Sequence, residues 1–291
     1  MGSIRFAYDS TMLDELRYLV LIADAGTFTS AARHAHLSQP ALSAAVKRLE
    51  DAMGARLFHR GAGGATLTAA GQALLPRARA ALAAVEDGRR AVAEVEAGES
   101  GEVRIGAGAT ACTYLLPPIL AAYRKRWPSV MLRVREAFGD QLEAMIEKGE
   151  IDVAIVTALP RRTPQKPYDW WRDDELVVVG APGVNPRTAG WITFGDGSPT
   201  RTLLLARNPG AQIVMELGSI AAVKGHVRAG IGLALVSRAA VAADIGRGAL
   251  VEVDLPWSPV MRRLALRHRG TDRLPPAAAR LRELLVQEMR S

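Results

Sequence analysis

At Gly98-Glu99-Ser100-Gly101 the chain changes its apolar rhythm, and this change limits the fold more than any other feature. Before it, apolar residues recur at steps of three and four, the period of amphipathic helices. After it, short apolar runs alternate with helical stretches. A chain of 291 residues has room for about two domains, and the break in rhythm marks their boundary. Apolar residues make up 49% and charged residues 23%, a balance that excludes disorder, collagen-like chain and low complexity as the main state. The single cysteine, Cys112, excludes a disulfide framework and a cysteine-cluster zinc site. No apolar run approaches the ~18 residues of a membrane span. The first eleven residues lack the apolar core of a secretory signal. The expectation is a soluble cytoplasmic protein with no membrane partner.

The helical part reads as a compact block. Leu16, Leu19, Val20 and Ala23 predict one helix, closed by Gly26. Thr29 is a candidate cap for a second, short helix, Ser30–Ala35. Ser38 caps a third, with Pro40 in its first turn and Leu42, Val46, Leu49 and Met53 as its inner stripe up to Gly54. Its other face carries Gln39, Pro40, Ser43, Ala44 and Lys47. Two extended pieces around a Gly-Ala-Gly-Gly tetrad then predict a hairpin. Thr68 caps a long helix to about Ala97, with Leu74, Ala78, Ala81, Val85, Gly88, Val92 and Val95 as a coiled-coil-like seam. Pro76 is expected to kink it.

Three helices followed by a hairpin, with a tight joint over Arg33–Gln39, form the pattern of a winged helix-turn-helix. In such a module the third helix enters the major groove of double-stranded DNA. Gln39 offers the paired donor and acceptor that suit an adenine edge, and Ser43 a hydroxyl for a base or phosphate. Arg33, Lys47 and Arg60 suit phosphates, which position a protein without specifying sequence. Periodicity alone leaves a plain surface helix open. The bulk charge decides little. The chain carries +7 overall, but residues 1–70 hold 7 basic and 6 acidic side chains, and the excess lies beyond residue 100.

Past the boundary, strand and helix alternate in two sets, which predicts α/β units with parallel sheets in two lobes. Ligands on such folds sit where strands end and helices begin.

The residues themselves carry a longer pattern. Leu16-Arg17-Tyr18-Leu19, Gly26-Thr27-Phe28-Thr29-Ser30-Ala31-Ala32, Leu37-Ser38-Gln39-Pro40-Ala41-Leu42-Ser43, Lys47-Arg48-Leu49-Glu50, Gly54-Ala55-Arg56-Leu57-Phe58-His59-Arg60 and Leu67-Thr68-Ala69-Ala70-Gly71 follow in order. So do Tyr114-Leu115-Leu116-Pro117, Gly149-Glu150-Ile151-Asp152-Val153-Ala154-Ile155, Glu216-Leu217-Gly218-Ser219 and Ala229-Gly230-Ile231-Gly232-Leu233-Ala234-Leu235. This series resembles the LysR-type transcriptional regulators from Met12 almost to the end of the chain. Residues 1–11 precede the family's usual start, which leaves both Met1 and Met12 open as the initiator.

The resemblance implies a winged helix-turn-helix over residues 12–67, a linker and dimerisation helix over 68–98, and an effector-binding domain over 101–291. That last domain is similar to periplasmic binding proteins, with lobe I at about 101–160 and 268–291 and lobe II at about 161–267. It implies a homo-oligomer, dimer or tetramer, that binds promoter DNA, contacts RNA polymerase and responds to a small, probably anionic effector. No cofactor, metal or catalytic residue is implied. Ser38, Gln39, Pro40 and Ser43 resemble the family's groove-facing segment, and Arg33, Lys47 and Arg60 its backbone and wing contacts. Ala44 and the wing tip Gly61–Ala65 depart from it, lacking the longer polar or basic residues often found there. Effector contacts map to Thr110, Ala111, Cys112 and Thr113, to Asp140, to Thr157, to Ser198, Thr200 and Arg201, and to Gly218 and Ser219. Capping is the simpler role for any one of these residues.

Other functions fit less well. No histidine pair has metal spacing, and no nucleophile elbow, P-loop or dinucleotide fingerprint is present, which argues against an enzyme. The second lobe has short connections at Ala181–Gly190 and Ala206–Gln212, so the alternative is a regulator with a degenerate pocket controlled by a protein partner or by abundance. Trp170 and Trp171 are expected to pack. Cys112 is expected to be a buried or pocket-lining thiol, since no second cysteine can resolve it.

Overall fold

The computed structural model describes residues 11–61, 64–96, 100–158 and 168–287, with the side chains of residues 60, 61, 95, 96 and 168–170 outside the description. The chain divides into two compact units. One runs to Arg89 and includes Glu147–Gly149; the other takes in Arg90–Ile146 and continues from Glu150. Among the described residues no helix is long and apolar enough to cross a membrane.

The first unit packs α1 (Thr11–Ala25), α2 (Phe28–His34) and α3 (Gln39–Met53) against an antiparallel hairpin, β1 (Phe58–Gly61) and β2 (Gly64–Leu67). Leu19, Ile22, Leu42, Val46, Leu49 and Leu57 are buried together at its centre. Each buried side chain of this size contributes about 1.5–3 kcal/mol. The cap of α2 is Thr27, whose hydroxyl accepts from the Ser30 amide at 3.1 Å, and not Thr29. Phe28 already occupies the first helical position and lays its ring edge-on to Phe58 at 5.5 Å. Ser38 caps α3 as expected, and Gly54 ends it in the left-handed region at φ 66°. Met53 is exposed and stands outside the inner stripe.

The hairpin is fastened by backbone contacts. Glu50 accepts the amides of Leu57 and Phe58 at 2.7 and 3.3 Å. Thr68 donates its hydroxyl to the Arg56 carbonyl and its amide to that of Leu57, at 2.7 and 3.0 Å. These bonds draw the start of α4 (Ala69–Glu96) onto the Leu57 carbonyl. That helix runs unbroken through Pro76. The proline leaves only the Gln72 carbonyl without its helical partner, on an exposed turn where solvent can serve it.

The second unit is built on a mixed sheet. Strand β3 (Gly101–Ala107) pairs in parallel with β4 (Val130–Glu136) and β5 (Val153–Ala158). Between β3 and β4 lie a single π-type turn at Ala111–Leu115 and α5 (Leu116–Arg126); α6 (Gly139–Lys148) leads to β5. The next strand, β6 (Tyr168–Gly180), is 13 residues long. It is followed by β7 (Trp191–Phe194), α7 (Pro199–Arg207), β8 (Ile213–Leu217), α8 (Ile220–Arg228), β9 (Ala234–Ser237), α9 (Arg238–Gly246), β10 (Val251–Glu252), β11 (Val260–Arg267) and α10 (Pro276–Gln287). Residues 181–190 form turns and no helix.

The sheets are not wholly parallel, contrary to the sequence expectation. Strand β11 lies antiparallel between β5 and β6, and the second half of β6 pairs antiparallel with β9 and β10. One seven-stranded sheet therefore spans both lobes, with β7 and β8 as a separate parallel pair. Long strands shared by two lobes run out and back, so their pairing is antiparallel where they cross. Each lobe keeps its own core. Val103, Ile105, Tyr123, Val153, Trp171 and Leu281 lie in the first, where Trp171 packs as expected; the side chain of Trp170 lies outside the described ones. Val177, Ile192, Phe194, Val223 and Val236 lie in the second.

The Gly-Glu-Ile-Asp motif owes its form to Asp152. This fully buried carboxylate accepts from Arg90 at 2.7 and 3.1 Å, from the Arg104 amide at 2.8 Å and from the Arg104 guanidinium at 3.2 Å. A buried charge is tolerated when donors surround it in this way.

Candidate functional site

Helix α3 presents two faces. Leu42, Ala45, Val46 and Leu49 are buried, while Ser38, Gln39, Pro40, Ala44 and Lys47 are exposed and Ser43 is half-buried. Gln39, Ser43 and Lys47, four residues apart, form one outward stripe. Arg33 is exposed in the last turn of α2. The joint between α2 and α3 closes through the Ala35 amide on the Ala31 carbonyl and the Leu37 amide on the Ala32 carbonyl, at 2.9 and 3.0 Å. His36 completes it at φ 53°. Arg48, next to Lys47, is held at 2.8 Å by the buried carboxylate of Glu15 and so braces the helix from behind. The side chain of Arg60 lies outside the described ones. The free stripe is 15 residues of helix with no acidic side chain in its first turn, a shape that fits a major groove.

The second unit holds a cleft of roughly 530 Å³, counting its open mouth. Its walls come from Gly108–Ala111 after β3, Ala137–Gly139 after β4, Ile155–Thr157 on β5, Phe194 on β7, Ser198–Thr200 at the start of α7, and Arg262 and Leu264 on β11. These are strand ends and helix starts, as the doubly wound rule requires. The lining is largely apolar, with hydroxyls from Thr110, Thr157, Ser198 and Thr200. At its floor Arg262 donates to Asp174 at 2.7 Å and to the Thr200 hydroxyl at 3.1 Å, and Ser237 donates to Asp174 at 2.6 Å. Arg262, Asp174, Ser237 and Thr200 are all buried.

Two family models match the chain. Residues 13–72 match the bacterial regulatory helix-turn-helix protein, lysR family, and residues 96–290 match the LysR substrate binding domain. The regulator CbbR of Xanthobacter flavus is 33% identical over 95% of this chain and 87% of its own length. The uncharacterized regulator YeiE of Escherichia coli K12 is 30% identical over 92% of this chain and 94% of its own. Full-length OxyR of Pseudomonas aeruginosa, in a variant form, superposes with a TM-score of 0.65 at 25% identity, covering 96% of this chain and 94% of its own. The chain belongs to the LysR family. It is a DNA-binding transcriptional regulator, not an enzyme, with an N-terminal helix-turn-helix and a two-lobed α/β substrate-binding domain.

In this LysR-family chain the cleft gathers Thr110, Ala111, Thr157, Ser198 and Thr200 of the residues expected to meet an effector. It does not gather Cys112, Thr113, Asp140, Arg201, Gly218 or Ser219. Arg201, expected as a carboxylate partner, is already bound to Glu216, with Asp196 at 3.3 Å. The Ser219 hydroxyl caps α8 by accepting from the Ala222 amide at 3.2 Å. Thr113 and Asp140 are exposed. Arg262 was not anticipated. Its signal is the alternation of buried Val260, Arg262 and Leu264 with exposed Met261 and Arg263, legible once the strand is begun at Val260 instead of Leu264.

Cys112 sits in the π-type turn, and its thiol faces the Ala107 carbonyl at 3.4 Å. Burial, with Glu136 nearby, pushes the thiol up to about 11. The neutral thiol therefore dominates at pH 7. Alkylation by iodoacetamide is expected to be slow at pH 7.5 and to rise about tenfold per pH unit up to that value. A rate at pH 7.5 equal to that of an unfolded control would contradict this.

Proposed function

We propose that Gln39, Pro40 and Ser43 read base edges in the major groove, that Arg33, Lys47 and Arg60 contact phosphates, and that Ser38 fixes the helix start. The carrying observation is the exposed Gln39–Ser43–Lys47 stripe on a helix whose opposite face is buried. Val85 and Val92 are exposed on α4, apolar positions that support pairing of two chains along this helix in a dimer or tetramer. The cleft between the lobes takes a small anionic effector that serves as the regulatory signal, with no resident cofactor. Its preformed apolar walls and convergent hydroxyls favour this over control by a protein partner or by abundance. The effector acts by preferring one arrangement of the oligomer, which changes promoter contact and engagement of RNA polymerase in the cytoplasm.

Few basic side chains flank the groove-facing stripe. With three phosphate contacts per protomer, a dimer's affinity for duplex DNA is expected to fall with salt at a log–log slope of about −5, from about −0.9 per phosphate. Lys47→Ala makes the slope shallower by about two for the dimer. A wild-type slope as steep as about −8, or an unchanged slope in the variant, would contradict this contact set.

A further inference from the structure

Resting on the reading of the cleft as an effector site, we propose that its occupant is a small monoanion: one carboxylate on a short apolar body, and neither a dicarboxylate nor a phosphate ester. The charge inventory of the site leads there. Among the described residues the only charged side chain lining the cleft is Arg262, and Asp174 already holds its guanidinium at 2.6 and 2.7 Å. No cation remains to neutralise a second negative group.

What remains is one set of neutral donors. Ser198 is 3% exposed, lines the cleft, and makes no capping bond to α7 despite standing at its N-cap. Its hydroxyl is thus a buried polar group directed to the cavity, and buried polar groups are ordinarily satisfied. Beside it, Pro199 has no amide proton, and the Thr200 and Arg201 amides lie in the first turn of the helix, where no intrahelical carbonyl serves them. Thr200 receives a hydrogen bond from Arg262 on its oxygen, so its own hydroxyl proton is left to donate. These donors and the positive end of the helix suit one carboxylate. Around them stand Phe138, Leu142, Phe194 and Leu264, where a second charge would be desolvated without a partner.

The test uses the full chain. Thermal shift and calorimetric titration are run with propionate, butyrate and benzoate, and with succinate and glycerol 3-phosphate, at equal ionic strength. A ligand of the folded state raises the melting temperature by mass action. The expected result is a rise with at least one monocarboxylate and none with the other two compounds. Ser198→Ala then weakens the monocarboxylate about tenfold or more, since a hydrogen bond to a charged group is lost. Tighter binding of succinate or glycerol 3-phosphate, sensitive to Ser198→Ala, overturns the monoanion class and leaves the cleft as the effector site. No response to any compound, or a response untouched by Ser198→Ala, overturns both.

Discussion

Gly71→Ala is expected to unfold the DNA-binding unit at temperatures where the wild type is intact. A Cβ at Gly71 would lie 2.2 Å from the Leu57 carbonyl oxygen and 2.8 Å from the Leu67 side chain. The close approach has a cause. Thr68 ties the helix start to the Arg56 and Leu57 carbonyls, and its hydroxyl also accepts the Gly71 amide at 3.0 Å. The carbonyl cannot retreat without breaking the wing from the helix. Overpacking against backbone costs about 3 kcal/mol, which for a unit of this size lowers the melting temperature by about 10–20 °C. Calorimetry of the full chain checks this, with Gln72→Ala on the adjacent exposed position as a control expected to stay within about 0.5 kcal/mol. Equal melting of Gly71→Ala and wild type would show that the junction yields more easily than its bonds indicate.

The second large effect concerns the floor of the cleft. Asp174→Asn removes the charge that balances Arg262 and leaves a buried guanidinium with no opposite charge. Breaking a buried pair from one side costs about 3–5 kcal/mol, or about 10 °C for a unit approaching 200 residues. The same change creates the free cation that the wild-type cleft lacks. Succinate is therefore expected to restore part of the lost melting temperature in Asp174→Asn while having no effect on the wild type. An undiminished melting temperature, with no response to succinate, would show that Arg262 does not depend on Asp174.

The DNA-binding unit was legible in the sequence because its signals are local. Ser38 before Pro40, Gly54 after Met53 and Thr68 before Ala69 each act within one helical turn of the end they define. Thr27 and Thr29 are both good caps by type, and tertiary packing of Phe28 on Phe58 decides between them. Pro76 misled because a single lost bond on an exposed turn is cheap beside the packing of a long helix.

The effector domain was less legible for a different reason. Its decisive contacts join residues far apart in the chain. Arg262 meets Asp174 across 88 positions and Thr200 across 62. No spacing rule reaches that far. Strand β11 pairs with both β5 and β6, which turns an alternating strand–helix pattern into a mixed sheet. Helix starts were read correctly as places for hydroxyls, but capping claimed Ser219 and left Ser198 to the cleft. Arg201 and Arg262 look alike as residues; only the fold directs one to Glu216 and the other to the floor of the site.

The most direct test of DNA reading through α3 is selection of duplexes from a random library by the full chain and by Gln39→Ala. The wild type is expected to yield a consensus with half-sites one helical turn apart. The variant is expected to lose preference at one or two positions in each half-site, a discrimination worth about 1–3 kcal/mol per base pair, while binding bulk DNA nearly as well. An identical consensus from both proteins would contradict the account and place sequence reading elsewhere in the chain.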